Sequence, residues 1–269
     1  MLLVIDAGNT NTSLGVFNHT ELVAHWRLTT ARSRTVDEYG VHARNLFELA
    51  GIDFNAINAI AIASVVPPLN YTLKTMAETY FHVTPLFVDQ DIDTGLRILY
   101  EPASDVGADR IVDAVAAIQK YGAPCIVVDF GTATTFNAIN AEGQYVGGAI
   151  TPGIMISSEA LFARTAKLPR VDIRRPQSVI GSSTVTAMQS GLYHGFVGLV
   201  DGVLRKMIEE IGGSPRVIAT GGLASLIATG SEFIELVDET LTLEGLRLIY
   251  ERTATGSPKS KVQSPKSEI

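Results

Sequence analysis

Apolar runs closed by turn residues alternate along this chain with stretches of helical period, and the order of the two recurs. Residues 1–6 form a continuous apolar run ending in an acid, followed by runs at 12–17 and 22–28 with Asn18-His19 between those two. Such short runs predict three strands joined by hairpins. Thr35-Val36-Asp37-Glu38 has capping-box spacing, in which the Thr35 hydroxyl and the Glu38 carboxylate satisfy free amides at a helix start. With Gly51 as the stop, a helix fits 36–50. A strand at 57–66 halted by Pro67-Pro68, a helix at 71–81, a strand at 86–88 and a helix at 105–121 complete the unit.

The same order then begins again. Strands are predicted at 125–129, 135–139 and 145–150, with a turn at Glu142-Gly143. Helices follow near 154–166 and 183–211, then a strand at 216–219 and a helix at 222–229. Laying Ile5-Asp6-Ala7-Gly8 over Val128-Asp129-Phe130-Gly131 also aligns Thr12 with Thr135, so the chain reads as a duplication. The expected division is an N-terminal domain of residues 1–121 and a C-terminal domain of 122–252. Residues 168–181 read as an irregular connection, and 253–269, rich in Ser, Lys and Pro without apolar periodicity, as a disordered tail.

Composition narrows the classes. A chain of 269 residues accommodates two domains with their own cores, and 46% apolar with 18% charged residues is typical of a compact α/β protein. A net charge of -7 repels phosphodiester backbones and anionic lipid, which points to small-molecule partners and away from nucleic acid or membrane. No basic leader precedes the first apolar run and no stretch reaches a membrane span, so a cytoplasmic location is expected. The single Cys125 lies in a predicted buried strand and reads as a core hydrophobe. None of the five histidines has metal-ligand spacing.

Two segments stand out chemically. Asp6-Ala7-Gly8-Asn9-Thr10-Asn11-Thr12 connects two strands and reads either as an ordinary Asn/Gly turn or as a loop aiming amides and hydroxyls at a phosphate. Its repetition as Asp129-Phe130-Gly131-Thr132-Ala133-Thr134-Thr135 favours the second reading, with two hairpins embracing a polyphosphate across an interdomain cleft. Neither loop contains Lys or Arg. Cations must then balance a bound triphosphate, with Asp6 placed to hold hydrated Mg²⁺ and Asp129 a second ion. P-loop, Rossmann and nucleophile-elbow motifs are absent from the sequence.

Gly107-Ala108-Asp109-Arg110 heads a helix with a buried face at Ile111, Val112, Val115 and Ile118. Asp109 is either a first-turn acid complementing the helix dipole or, with Arg110, the base and carboxylate grip that phosphoryl transfer to an acidic alcohol needs. Thr220-Gly221-Gly222 leaves a strand and opens a helix, either as a plain turn or as a backbone surface for an adenine or ribose. Gly147-Gly148-Ala149-Ile150-Thr151-Pro152-Gly153 reads as a packing surface for a helix or subunit.

Taken in order, D-x-G-N-T, G-A-D-R, D-x-G-T-A-T-T, G-G-A-I-x-P-G and a late T-G-G resemble the type III pantothenate kinases over residues 1–252. The resemblance implies an α/β fold of two duplicated ribonuclease-H-like domains, the actin-like ATPase fold, with an interdomain cleft. It implies phosphorylation of pantothenate by ATP, the first step of coenzyme A synthesis, with Mg²⁺ and a monovalent cation, K⁺ or NH₄⁺. Carried over by motif, Asp6, Ala7, Gly8, Asn9, Thr10, Asn11, Thr12, Ser13 and Thr132, with Gly221 and Gly222, bind ATP. Asp109 is the proton acceptor, Asp129 holds the monovalent cation, and Gly107, Ala108, Asp109 and Arg110 contact pantothenate. Tyr100 and Thr184 match two further substrate positions, which residues alone present as a strand-edge aromatic and a helix-cap hydroxyl. Members of the family are homodimers, in which Thr184 is expected to reach the neighbouring subunit's site. A regulatory accessory protein of the same fold, a filament-forming ATPase and a kinase for another small acid are the competing readings.

Overall fold

A computed structural model describes residues 1–89 and 92–255. The chain opens with β1 (Leu2–Ala7), β2 (Asn11–Asn18) and β3 (Glu21–Thr29), then α1 (Val36–Leu49), β4 (Ala59–Ser64), α2 (Pro67–Met76) and β5 (Leu86–Phe87). Next come β6 (Arg97–Ile98), α3 (Ala108–Tyr121), β7 (Cys125–Phe130), β8 (Ala133–Ile139), β9 (Gln144–Pro152) and α4 (Ile154–Arg164). The last elements are α5 (Thr184–Ile211), β10 (Arg216–Gly221), α6 (Ala224–Ala228), β11 (Leu236–Val237) and α7 (Leu241–Ala254).

The duplication is explicit in the sheets. The first has strand order β3-β2-β1-β4-β5, and the second repeats it as β9-β8-β7-β10-β11 with β6 added beyond β9. In both, the first two pairings are antiparallel and the next two parallel. A register shift between second and third strands also recurs, at Val16/Phe17 and at Ala138/Ile139.

Register corrects one sequence alignment. Asp6 pairs with Ser13 and Ala7 with Thr12, whereas Asp129 pairs with Thr135 and Phe130 with Thr134. The equivalents are therefore Thr12 with Thr134, both 1% exposed, and Ser13 with Thr135. The first hairpin is one residue longer, so equal offsets along the chain do not correspond to equal places in the sheet.

Other boundaries moved for local reasons. Strand β4 ends before Pro67-Pro68, as read, but the helix expected from 71 already opens at these prolines, because proline at the first helical positions has a suitable φ and lacks an N–H that would be unsatisfied there. The capping box of α1 forms as expected, with Glu38 N–H donating to Thr35 Oγ1 and Thr35 N–H to Glu38 Oε2. Helix α7 was not foreseen and takes in residues 253 and 254 of the expected tail, with Thr255 as its C-cap; 256–269 lie outside the described residues. Gly245 interrupts its helical propensity, yet a Cβ there would overlap the Val112 carbonyl, so glycine lets α7 cross α3 closely.

Helix α3 lies between the two sheets. Its Val112 joins Leu2, Val4, Leu243, Leu246 and Ile249 under the first sheet, while Ile111, Ala114 and Ala117 join Val127, Ile139 and Tyr145 under the second. The outer faces are closed by α1 and α2 on one side and α5 and α6 on the other. The connection read at 168–181 is irregular, within a longer irregular stretch of 165–183, and is pinned to α5 by Gln189 Nε2 donating to the Asp172 carbonyl and by the Ser190 hydroxyl donating to that of Val179. Cys125 is fully buried, and burial pushes its thiol up to about 12, as a core hydrophobe requires.

Candidate active site

The two acid-ended hairpins meet. Thr10 Oγ1 and Thr132 Oγ1, 122 residues apart in sequence, share a hydrogen bond of 2.6 Å. Behind this contact the first loop is tied by Gly8 N–H to the Asn11 carbonyl at 3.0 Å. The Thr30 hydroxyl also donates to the Gly8 carbonyl at 2.7 Å. Thr12 is buried, its hydroxyl 2.8 Å from that of Thr30, so it braces the loop from within beside buried Ala7. Asn9, Thr10 and Asn11 are exposed, with Asn9 Oδ1 accepting from Arg32 Nη2 at 3.1 Å.

Four carboxyls share the ground behind the loops. Asp6 and Asp129 end the first strand of each half, and Asp109 and Asp113 lie one turn apart on α3. Burial, with Asp109 and Asp129 nearby, pushes the Asp6 carboxyl up to about 8, against the opposing charge of Arg27. Burial and Asp109 push Asp129 up to about 7, again opposed by Arg27. Asp109 is raised by burial, and the Arg110 N–H and guanidinium hold it back. Asp113, 2% exposed, is raised by burial and Asp129 although it accepts from Thr242 Oγ1 of α7 at 2.7 Å. Like charges this close in a desolvated pocket cannot all ionise without a compensating cation.

Glycines shape the acids' surroundings. At the N-cap Gly107 a Cβ would come within 2.5 Å of Asp109 Oδ1, which folds back to accept the Arg110 N–H at 2.8 Å. Ala108 is the first residue of α3. Gly221, at φ 92, sits beside Phe130 in the paired β7 and β10, where a side chain would overlap Asp129 Oδ1. Gly222 faces Arg27, whose Nη1 would lie 3.0 Å from a Cβ there.

Arg110 points the other way along α3 and is buried, at 7% exposed. Its Nε donates to Asn137 Oδ1 at 2.7 Å, the Tyr145 hydroxyl donates to the same oxygen at 3.1 Å, and the guanidinium stands 5.6 Å from the Tyr145 ring. Its Nη2 lies near Gly148, 3.2 Å from where a Cβ there would be. The Tyr100 ring lies 3.5 Å from where a Cβ on Gly147 would be, so it borders the same subsite. Thr184 is exposed at the first turn of α5 and makes no hydrogen bond to this group. The cap of that helix is Ser183, paired with Thr186, so the helix-cap account of Thr184 is replaced.

Arg27, Asp113, Asn137 and Tyr145 were missed from sequence. Asp113 had a signal, the i, i+4 spacing from Asp109 on one helix face. The other three arrive through strand register.

Two sheets of one order, each presenting an acid-ended first strand and a hydroxyl hairpin to a shared cleft, define the actin-like ATPase fold. Solved structures agree on that fold: a Campylobacter jejuni protein classed with the Baf family of transcriptional activators (TM-score 0.57, 18% identical, 94% of this chain and 99% of that one). The activator of 2-hydroxyisocaproyl-CoA dehydratase from Clostridium difficile also matches (TM-score 0.53, 12% identical, 99% of each chain). Residues 2–206 match the family model for type III pantothenate kinase. A type III pantothenate kinase of Koribacter versatilis is 55% identical over 269 residues, covering 96% of this chain and 98% of that one. The chain belongs to the type III pantothenate kinase family.

Proposed function

We propose that this chain transfers the γ-phosphoryl group of ATP to the 4′-hydroxyl of pantothenate, the first step of coenzyme A biosynthesis. The observation that carries the reading is the closure of Thr10 on Thr132 with Asp6, Asp109 and Asp129 gathered behind them. Backbone amides and hydroxyls of residues 6–13 and Thr132 line the polyphosphate, with Gly221 and Gly222 flanking the nucleotide. Asp109 accepts the proton of the attacking hydroxyl, and burial, which raises its carboxyl above the ordinary range, makes it a stronger base. Arg110 offers its two terminal nitrogens as a fork to the pantothenate carboxylate, with Tyr100 alongside. The gathered acids favour catalysis over the binding-only role weighed from sequence.

Crowded, desolvated carboxylates fit a hard cation. Mg²⁺ is commonly held by one or two carboxylates together with substrate phosphates. Asp6 would hold Mg²⁺ through water and Asp129 a monovalent cation, K⁺ or NH₄⁺; such ions neutralise developing phosphate charge.

The enzyme works as a cytoplasmic homodimer. Exposed Met155, Ile156, Leu161 and Phe162 on α4, with Val179, Ile180 and Val185 nearby in sequence, supply an apolar face for a second copy. Among the described residues no helix is long and apolar enough to cross a membrane. The test is a coupled assay of ADP release with pantothenate, varying alkali-metal chlorides. Pantothenate-dependent turnover stimulated by K⁺ over Na⁺ is expected; ATP turnover indifferent to pantothenate would remove the substrate assignment.

A further inference from the structure

Both hairpin loops lack Lys and Arg, yet the cleft they form is not without a fixed cation. Strand register supplies it. Asp6 on β1 pairs with Ser13 on β2, and Ser13 pairs with Arg27 on β3, so the three form one row across the sheet. Directly paired residues project from the same face. This is the face toward α3 and α7, where Leu2 and Val4 pack.

Arg27 is exposed on β3, but its guanidinium extends across the cleft. Its Nη1 would lie 3.0 Å from a Cβ on Gly222, in the turn after β10 of the other half. Its charge acts on Asp6 and on Asp129, one acid from each half. Even so it makes no hydrogen bond or ion pair among the described residues, whereas neighbouring Arg32 donates to Asn9. A guanidinium placed between two acids and bonded to neither is free to serve an incoming anion.

We propose that Arg27 is a phosphate-binding residue of the nucleotide site, bridging the two halves by gripping oxygens of the ATP polyphosphate from above the Asp6–Ser13 row. This rests on the reading of the cleft as a nucleotide-phosphate site. A planar guanidinium matches phosphate oxygens bidentately. It supplies, without an exchangeable ion, part of the positive charge that a triphosphate demands. At Gly222 a Cβ would press on the guanidinium at 3.0 Å and displace it by a few tenths of an ångström.

The experiment compares binding of ATP and of adenosine to wild type and Arg27→Ala by calorimetry, at fixed Mg²⁺. Adenosine lacks phosphate, so its affinity should be unchanged, while ATP should weaken by about tenfold, the equivalent of one charge-assisted contact. Arg27→Lys should recover part of the loss, and Gly222→Ala should reproduce part of it. Thermal melts identify any variant that fails to fold. If Arg27→Ala does not fold, Arg27→Gln, which keeps the stem, takes its place. An ATP loss at least about threefold greater than the adenosine loss supports the assignment, and a smaller difference overturns it. Because binding is read without pantothenate, the result stands apart from the substrate: wild type that fails to bind ATP would defeat the nucleotide reading itself, whereas wild type binding ATP with an indifferent Arg27 variant defeats only this proposal.

Discussion

Asn137 offers the sharpest test of the proposed substrate subsite. It is fully buried on β8, and its Oδ1 accepts from both Arg110 Nε at 2.7 Å and the Tyr145 hydroxyl at 3.1 Å. Replacing it with alanine removes the acceptor that aims the guanidinium. A hydrogen bond to a charged group is worth ~1.5–3 kcal/mol, so loss of that alignment should weaken a carboxylate contact by about 10- to 100-fold. The carboxylate of pantothenate is not altered by phosphoryl transfer, so the contact is equal in ground and transition states. Its loss should then raise KM for pantothenate while kcat stays nearly constant. Asn137→Asp should be worse still, since a carboxylate in that place would capture Arg110 for itself. Initial rates against pantothenate at saturating ATP, with a parallel titration of ATP, read the effect. A KM for pantothenate within about twofold of wild type, or equal losses for both substrates, would refute the reasoning. A thermal melt separates this from instability, because an orphaned Tyr145 hydroxyl costs ~1–3 kcal/mol of fold as well.

Three further outcomes follow from the acids and their glycines. Asp109→Asn should abolish transfer and leave ATP binding nearly intact; a variant retaining most activity would show that another group takes the proton. In ligand-free protein burial and neighbouring acids push the Asp6 carboxyl up to about 8 and that of Asp129 up to about 7, from an ordinary carboxylate value of 3.8. The folded state therefore binds more protons than the unfolded chain in that window, and these groups make stability fall as pH rises through it. The melting temperature difference between Asp129→Asn and wild type should widen in favour of the variant from about pH 5 to about pH 8, and a constant difference would contradict the shift. Gly221→Ala should cost ~2 kcal/mol or more and blunt stimulation by K⁺, since its side chain would overlap Asp129 Oδ1 and its φ of 92 disfavours any other residue. Unchanged melting and cation response would count against that packing.

The chain's local patterns alone determined a good deal. Acid-ended apolar runs followed by hydroxyl hairpins, the Thr35–Glu38 capping box and the repeated element order depend on neighbours in sequence, and they marked the longer strands, the start of α1 and both loops. The duplicated α/β architecture was legible for the same reason. What distance along the chain hides, only tertiary structure decided. The extra residue in the first hairpin made Ser13, not Thr12, the counterpart of Thr135, because register follows hydrogen bonding across strands and not counting along them. Arg27 enters the cleft by lying two strands from Asp6, and Asn137 meets Arg110 across 27 residues because α3 packs against the second sheet. Helix α7 returns to the first half although it follows the second, since its leucines complete the core beneath β1 and Gly245 admits the Val112 carbonyl. Convergence of this kind is set by burial and crossing of whole elements, and no short window of residues contains it.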